Sequence, residues 1–241
     1  MPALLTSTAN DILNRVAAET GIEAVSDPWS SVRQEFIQMK ALLNIAGEEL
    51  SQNYPWAFLT KEFSFTTTTG IEYPLPDDFL YMINQSGWDR TNDRPLMGPL
   101  SSQDWSRIAG QDLDESIWSI AFRINQGVMK MIPDPMTSGI EVFYEYVSTD
   151  WVLDATTGTT YKSQITDGGD TPQFDRTLLS RFLKVKFLEA KGFDSSKAQA
   201  DLNQSFQMMT AREAGSPTLN VGSGRGFPYL GYHNIADTGY G

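Results

Sequence analysis

The chain lacks most of the residues that carry enzymatic and metal chemistry. It has no cysteine, which excludes disulfides, thiolate metal sites and cysteine nucleophiles and is typical of folding in a reducing cytoplasm. Its single histidine is His233, so a histidine-based catalytic triad or a multi-histidine metal site is excluded as well. No apolar run approaches the roughly 18 residues of a membrane span, and the first residues lack the basic and apolar regions of an export signal. We therefore expect a protein made in the cytoplasm, with no membrane partner.

Positive charge is also scarce. The 18 lysines and arginines stand against 30 aspartates and glutamates, which gives a formal net charge of -12. This balance argues against a protein that holds nucleic acid by neutralising its phosphates. The acid is concentrated in residues 63–150, which hold 13 acidic and 5 basic side chains. A solvated acidic surface accounts for this excess, and so does a surface that must not adhere to a polyanion.

Helical periodicity occurs towards the two ends of the 241-residue chain. Near the N-terminus the pattern predicts helices over about 8–20 and 29–52. Near the C-terminus it predicts helices over about 175–191 and 195–213, each introduced by an aspartate.

The helix over 29–52 has an unusually wide apolar stripe. The apolar residues of this stripe recur at three- and four-residue steps, and the first of them is Val32. Leu42 and Ile45 widen the stripe. The width predicts burial of this helix against more than one neighbour.

The middle of the chain has strand character. Phe63 and Phe65 alternate with polar residues ahead of a run of threonines. Two alternating segments joined by Asn-Gln-Gly within 119–132 predict a hairpin, and residues 141–147 predict a third strand. A short helix is predicted near 101–105. This pattern fits an antiparallel sheet or small sandwich rather than βαβ units.

Two further stretches connect these elements. Asp77 and Asp78 are residue types that start a helical turn, which would carry Phe79 and Leu80. Residues 153–173 are rich in Thr, Gly, Ser and Asp and predict a polar loop or an exposed hairpin.

The segment from Ala214 to Gly241 differs from the rest of the chain. It is rich in glycine but also contains aromatic residues, in which a disordered tail is normally poor. This composition is typical of an arm that orders on a partner and anchors itself by burying rings. A segment that folds back on its own domain is the alternative.

No motif in the sequence indicates catalysis. The acidic pairs and clusters lack the spacing of a calcium loop. Gly222-Ser223-Gly224-Arg225-Gly226 lacks the spacing and the strand–helix context of a dinucleotide site, and no nucleophile elbow is present. We expect no enzymatic activity, no cofactor and no bound metal.

The order of features resembles a known family. A helix ending in Leu-Leu-Asn-Ile-Ala-Gly-Glu-Glu (42–49) leads through Tyr-Pro-Trp-Ala-Phe-Leu (54–59) into a phenylalanine-rich strand. Tyr-Pro-Leu-Pro-Asp-Asp-Phe (73–79) follows, and a helical pair returns near the C-terminus. This arrangement resembles the head-to-tail adaptor proteins of tailed bacteriophages, specifically the tail tubular protein A type of short-tailed phages. The resemblance covers roughly residues 8–213 and does not include the segment beyond Ala214.

The resemblance implies an α+β fold. In it, the N- and C-terminal helices build one helical bundle, an antiparallel β domain is inserted between them, and a C-terminal arm extends from the bundle. The corresponding divisions of the chain are an N-terminal helical segment (residues 1–62), the inserted β domain (63–174), a C-terminal helical segment (175–213) and the arm (214–241).

The resemblance also implies a structural virion protein. Its copies would form a ring, usually of twelve, between the portal protein and the tail nozzle protein, and double-stranded DNA would pass through the ring without specific binding. An arm that reaches the portal would suit its aromatic composition, and the candidate portal-binding residues are Arg225, Phe227, Tyr229 and Tyr232. Carboxylates lining the channel would suit the acid excess, and the candidate channel-lining residues are Asp77, Asp78, Asp112, Asp114 and Glu115.

Three alternatives stay open. Another ring protein of the tail, such as a nozzle or completion protein, would be more uniformly β. A carbohydrate- or receptor-binding β module would use exposed Trp88, Trp105 or Trp118. A hydrolase with a pair of carboxylates is the third, because such pairs are set by space and not by sequence.

Overall fold

The computed structural model describes residues 6–110 and 119–213. Its helices are α1 Ala9–Glu19, α2 Gln34–Asn53, α3 Ser102–Gly110, α4 Arg176–Lys191 and α5 Ser196–Glu213. Its strands are β1 Thr60–Thr66, β2 Glu72–Pro74, β3 Phe79–Met82, β4 Trp88–Asp89, β5 Arg94–Pro95, β6 Ala121–Asn125, β7 Val128–Ile132, β8 Glu141–Ser148, β9 Val152–Leu153, β10 Tyr161–Lys162 and β11 Thr171–Pro172. Helices and antiparallel sheets coexist, so the predicted α+β class is confirmed.

Local capping explains where the helices begin and end. The Thr8 hydroxyl accepts a hydrogen bond from the backbone N–H of Asp11, and the Asp11 carboxylate accepts from the N–H of Thr8, which forms a capping box. The Asp175 carboxylate caps the start of α4 by accepting from backbone N–H groups of its first turn. Gly192, with φ of 74°, ends α4 in the left-handed conformation that glycine adopts without strain. These helices lie where the sequence predicts them.

Helix α2 begins later than predicted. Its first residue is Gln34 because Asp27 to Ser31 form turns, in which the Asp27 carboxylate accepts from the N–H of Ser30. Val32 therefore precedes the helix and is 88% exposed, so its assignment to the buried stripe was wrong.

Helix α4 is the centre of the helical core. It packs along α1, α2 and α5, so elements from both ends of the chain share one apolar cluster. Three aromatic rings close the cluster at one end: Trp56 lies 5.8 Å from both Phe174 and Phe206, in edge-to-face arrangements. The boundaries of the predicted domains stay predictions.

The β section contains two larger antiparallel sheets. In the first, β8 pairs with β1 along its full length, from Thr60 opposite Val147 to Thr66 opposite Glu141, and pairs with β3 and β4 on its other side. In the second, the predicted hairpin β6–β7 is confirmed, and β2 adds to β7. A second apolar cluster lies among these strands and consists of Tyr73, Ile120, Phe122, Met129, Met131, Met136, Ile140, Val142, Tyr144 and Tyr146.

The helical turn predicted after Asp78 is wrong. Phe79–Met82 is strand β3, which pairs with β8 and stacks the ring of Phe79 on that of Tyr146 at 5.7 Å. Asp77 and Asp78 do form a turn, in which the N–H of Phe79 donates to the carbonyl of Pro76 at 3.0 Å. Pairing with β8 then makes the following residues a strand and not a helix, because tertiary context overrides local propensity.

Residues 153–173 form a small sheet rather than a loop. The predicted hairpin exists as β9–β10, and the chain then returns as β11 on the other side of β9. This return buries Ile165 and Asp170. Within residues 6–110 and 119–213, no helix combines the length and apolarity needed to cross a bilayer.

One close approach fixes how the small sheet meets the helices. Gly47 of α2 lies directly against the ring of Trp151, and a Cβ at this position would stand 2.2 Å from Cη2 of that ring. Trp151 is 1% exposed and lies in the helical core. Because neither the helix backbone nor the buried ring can move away freely, only glycine fits here.

We expect Gly47→Ala to destabilise the protein. Alanine in a helix interior is normally about 1 kcal/mol more favourable than glycine, but here the added methyl group overpacks a buried ring, at a cost of about 1–3 kcal/mol. Thermal unfolding followed by circular dichroism measures the change. Gly70→Ala is the control, since a Cβ there meets only the Thr68 hydroxyl at 3.6 Å. A Gly47→Ala variant as stable as the natural chain would contradict the packing.

Candidate interaction surfaces

Asp78 connects three strands of the first sheet. It lies just before β3, and its carboxylate accepts a hydrogen bond from Lys61 of β1 at 2.5 Å. On β8, the Tyr146 hydroxyl donates to Asp78 Oδ1 at 2.8 Å and the Ser148 hydroxyl donates to Oδ2 at 2.7 Å. The backbone carbonyl of Asp78 accepts from the N–H of Thr149. Asp78 thus holds β1, β3 and β8 together where the sheet meets the helical core.

Burial, hydrogen bonds and neighbouring charges shift the pKa values of the groups at this junction. Burial raises the pKa of the Asp78 carboxyl, but the bonds from Lys61, Ser148 and Tyr146 outweigh burial and hold the pKa below its usual value. Burial raises the pKa of Asp150, and the nearby Asp78 carboxylate adds to this rise against the attraction of Lys61. Burial and the bond to Asp78 also raise the pKa of Tyr146. Asp78 is therefore ionised and paired with Lys61.

The predicted channel-lining residues occupy different environments. Asp77 is exposed, whereas the side chain of Asp78 is mostly buried in the junction just described. Asp112, Asp114 and Glu115 lie outside the described residues. The sequence did not reveal the pairing of Asp78, because its partners come from strands distant along the chain. The role of these five residues in lining a channel stays a prediction.

The predicted portal-binding residues lie outside the described portion of the chain. They belong to residues 214–241, and they are Arg225, Phe227, Tyr229 and Tyr232. Their role stays a prediction.

A second buried carboxylate fixes the loops of the small sheet. Asp170 is 0% exposed, and its carboxylate accepts from the backbone N–H groups of Ala155, Thr166 and Asp167. Lys162 Nζ lies 2.8 Å from Asp170 Oδ2 and 2.7 Å from Asp154 Oδ1. Burial raises the pKa of Asp170, but these donors outweigh burial and lower it.

The same loop completes the first turn of α1. The backbone carbonyls of Asp170 and Gly168 accept from the N–H groups of Ala9 at 2.9 Å and Asn10 at 3.0 Å. These bonds satisfy donors that every helix leaves free at its start. A sequence pattern that indicates only a turn at 167–170 thus belongs to the helical bundle.

Two of the three tryptophans of the alternative sugar-binding hypothesis lie within the described residues, and both are partly buried. Trp88 is half-buried in β4, and Trp105 packs under the guanidinium of Arg123 at 4.7 Å from its ring centroid. Trp118 lies outside the described residues. Among the described residues no three acidic or histidine side chains are grouped closely enough to hold a metal ion.

Helix α2 exposes a face without charge over three turns. We call it the α2 outer face, and it consists of Gln34, Ile37, Ala41 and Ile45, followed by Glu48. Ile37 and Ile45 are 45% and 42% exposed. The prediction that this helix meets more than one neighbour rested on Leu42 and Ile45, and it is confirmed by the contacts of α2 with α1 and α4. Leu42 packs against the helical core, whereas Ile45 lies on the exposed side.

Helix α5 exposes a comparable face. We call it the α5 outer face, and it consists of Lys197, Ala200, Gln204, Met208 and Ala211. Met208 is 49% exposed. Sequence reasoning identified only the inner face of α5, and the signal for the outer one was the recurrence of small and uncharged residues at four-residue steps.

We expect Asp78→Asn to destabilise the protein by about 1–3 kcal/mol, because the amide cannot balance Lys61 and leaves buried donors poorly satisfied. Urea unfolding measures the change. Asp77→Asn is the matched control and should stay within about 0.5 kcal/mol, as is usual for exposed positions. Equal effects of the two variants would contradict a structural role for Asp78.

We expect Asp170→Asn to cost about 2–4 kcal/mol at neutral pH, because it removes a buried charge that Lys162 and three backbone donors require. The pKa of Asp170 is lower in the folded protein than the value of about 3.9 in an unfolded chain. Its stabilisation is therefore complete above about pH 4 and is lost as the pH falls through the folded pKa.

The natural chain should accordingly lose more stability on acidification below about pH 4 than the Asp170→Asn variant. Urea unfolding at a series of pH values measures both slopes. Asp167→Asn, at an exposed neighbouring position, should keep the natural slope. Parallel curves for the natural chain and Asp170→Asn would exclude Asp170 as a source of acid sensitivity.

The described residues thus form packed apolar cores, buried ion pairs and two outer helix faces that carry few charges. A comparison with curated proteins finds no match. A comparison with family models matches the SU10 adaptor protein model over residues 7–223, which extends past the end of α5. Since the match covers most of the 241 residues, the chain belongs to the SU10 adaptor protein family, a family of structural phage adaptor proteins.

Proposed function

We propose that the protein is a head-to-tail adaptor of the tail tubular protein A kind. Its copies form a ring, of about twelve as in the family that the sequence resembles, between the portal protein and the tail nozzle protein. Double-stranded DNA passes through the channel of the ring, and the protein is a component of the virion, made in the host cytoplasm. The match to the adaptor model over residues 7–223 carries this proposal.

The helical bundle is suited to a ring. A closed ring of identical copies needs two different faces on each copy, one for each neighbour. The α2 outer face and the α5 outer face are two such faces, and each is uncharged between its ends. Apolar side chains in such faces gain free energy when a neighbour removes them from water.

Net negative charge suits a channel that DNA must traverse. A wall that attracted phosphates would retard the DNA, whereas carboxylates repel it. Of the candidate residues, Asp77 is exposed and able to face such a channel, while Asp78 is neutralised by Lys61. Asp112, Asp114 and Glu115 belong to the same proposed surface.

The C-terminal arm is the proposed contact with the portal. It begins after Glu213, whose carboxylate accepts from the backbone N–H of Ala57 at 2.9 Å and so fixes the end of α5. The proposed anchors beyond this point are Arg225, Phe227, Tyr229 and Tyr232. Aromatic and arginine side chains are the residue types that contribute most to binding at protein interfaces.

Native mass spectrometry of the full chain, alone and mixed with the portal ring encoded by the same genome, tests the proposal. We expect a discrete complex with about one adaptor per portal subunit, formed only in the mixture. Each adaptor contact alone is expected to be too weak to offset the entropy of association, and the portal supplies the missing contacts.

Two shortened chains test the arm. A chain that ends at Glu213 keeps the bond to Ala57 and should fold but lose portal binding. A chain that ends at Ile235 keeps the four proposed anchors and should bind. If the full chain never joins the portal and instead gains mass with an oligosaccharide or another tail protein, the adaptor function is refuted.

A further inference from the structure

We propose that the α2 outer face of one copy packs against the α5 outer face of the next copy around the ring. The inference rests on the proposed ring, and it assigns the contact between neighbours to two helices. Each copy would then use both faces, one towards each neighbour.

The composition of the α2 outer face argues that something covers it. A helix face in permanent contact with water usually carries charged side chains. This face instead presents Ile37, Ala41 and Ile45 at four-residue steps, and both isoleucines are more than 40% exposed. The opposite side of the same helix already fills the helical core with its own apolar residues. The outer isoleucines belong neither to the helical core cluster nor to the apolar side chains packed against it.

The α5 outer face has a shape that can pack against the α2 outer face. Ala200 and Ala211 are small, so a second helix can approach closely, and Met208 offers a flexible apolar side chain between them. Ile37 and Ile45 are separated by eight residues, as are Ala200 and Met208, a rise of about 12 Å in each helix. The two faces thus match in length.

The charges at the ends of the faces also match. Glu48 follows the α2 outer face at its C-terminal end, and its Oε1 accepts only a long bond of 3.3 Å from Gln164. Lys197 is the N-terminal end of the α5 outer face, and Arg212, also exposed, directly follows its last residue. None of the residues of this face is acidic. Whichever way the two helices run, Glu48 meets a cation. A second copy is therefore a complementary partner for this face.

The packing of α2 and α5 around α4 bears on the assembly that this contact would form. Helices α2 and α5 both pack along α4, and each directs its apolar inner face towards the core around it. The two outer faces therefore belong to two different helices of the bundle, and both are exposed. Contact between two different faces repeats from copy to copy and closes into a ring when the rotation allows.

Cysteine cross-linking tests the contact directly, because the natural chain has no cysteine. Ala41 and Gln204 are exposed residues at the middle of the α2 and α5 outer faces, and the two variants are Ala41→Cys and Gln204→Cys. The two full-length variants are mixed, assembled with the portal ring and treated with a short bis-maleimide. We expect dimers in the mixture, none with either variant alone, and a ladder of oligomers with the double variant. Thr159→Cys, exposed in the β9–β10 hairpin, replaces Ala41→Cys in the control and should not cross-link.

Charge insertion gives a second measurement. Ile37→Glu with Ile45→Glu should leave thermal unfolding unchanged, since both side chains are already half exposed. It should raise the adaptor concentration needed for assembly at least about tenfold, because each contact would bury two unpaired carboxylates. Met97→Glu, at another half-exposed apolar position, should leave assembly unchanged.

The possible outcomes distinguish a failure of this contact from a failure of the proposed ring. Assembly with the portal that proceeds normally in the isoleucine variant, without cross-linking of Ala41→Cys to Gln204→Cys, would overturn the contact and leave the adaptor function standing. Failure of the natural chain to assemble under any condition would overturn both. Protection of Ala41→Cys from maleimide in the single copy, lost on shortening the chain to Glu213, would identify residues 214–241 as the occupant and overturn the contact.

Discussion

The packing of α4 against α1 and α2 is the constraint on which the rest of the structure depends. It joins helices from opposite ends of the chain, so everything between them forms an insertion whose two ends must meet at the bundle. Closing so long a loop costs conformational entropy, which only a large buried surface can offset. The shared apolar cluster supplies that surface, and the Trp56, Phe174 and Phe206 rings extend it to α5.

Two buried aspartates, Asp78 and Asp170, fix the geometry of the insertion near the bundle. Asp78 joins three strands at the edge of the helical core, and Asp170 joins the small sheet to the start of α1. A buried charge is costly without its partners, so each of these sites favours a single geometry. Such rigid joints suit a structural protein, whose function is to keep surfaces at fixed positions.

In a ring adaptor, the specificity for partners resides in binding surfaces and not in a catalytic cluster. The outer faces of α2 and α5 are compatible with a chain that is stable as a single copy and associates when a neighbour presents the opposite face. The concentration of acid in residues 63–150 and the aromatic arm beyond Glu213 fit two further tasks. We propose that these tasks are repulsion of DNA from a channel wall and attachment to the portal.

The sequence by itself determined the α+β class, the positions of α1, α4 and α5, and the hairpin β6–β7, because caps, periodicity and turn residues act within a few positions. The motif around 54–59 and 73–79 also indicated an adaptor. Only the tertiary structure decided that Phe79–Met82 is a strand, that Val32 precedes its helix, and that Asp78 and Asp170 are ion-paired. The strand β3 and the pairing of Asp78 depend on β8, which is far away along the chain, and a local pattern contains no information about which distant strand will be near. The start of α2 and the pairing of Asp170 depend on nearby residues, but on how the chain folds back around them and not on a periodic pattern.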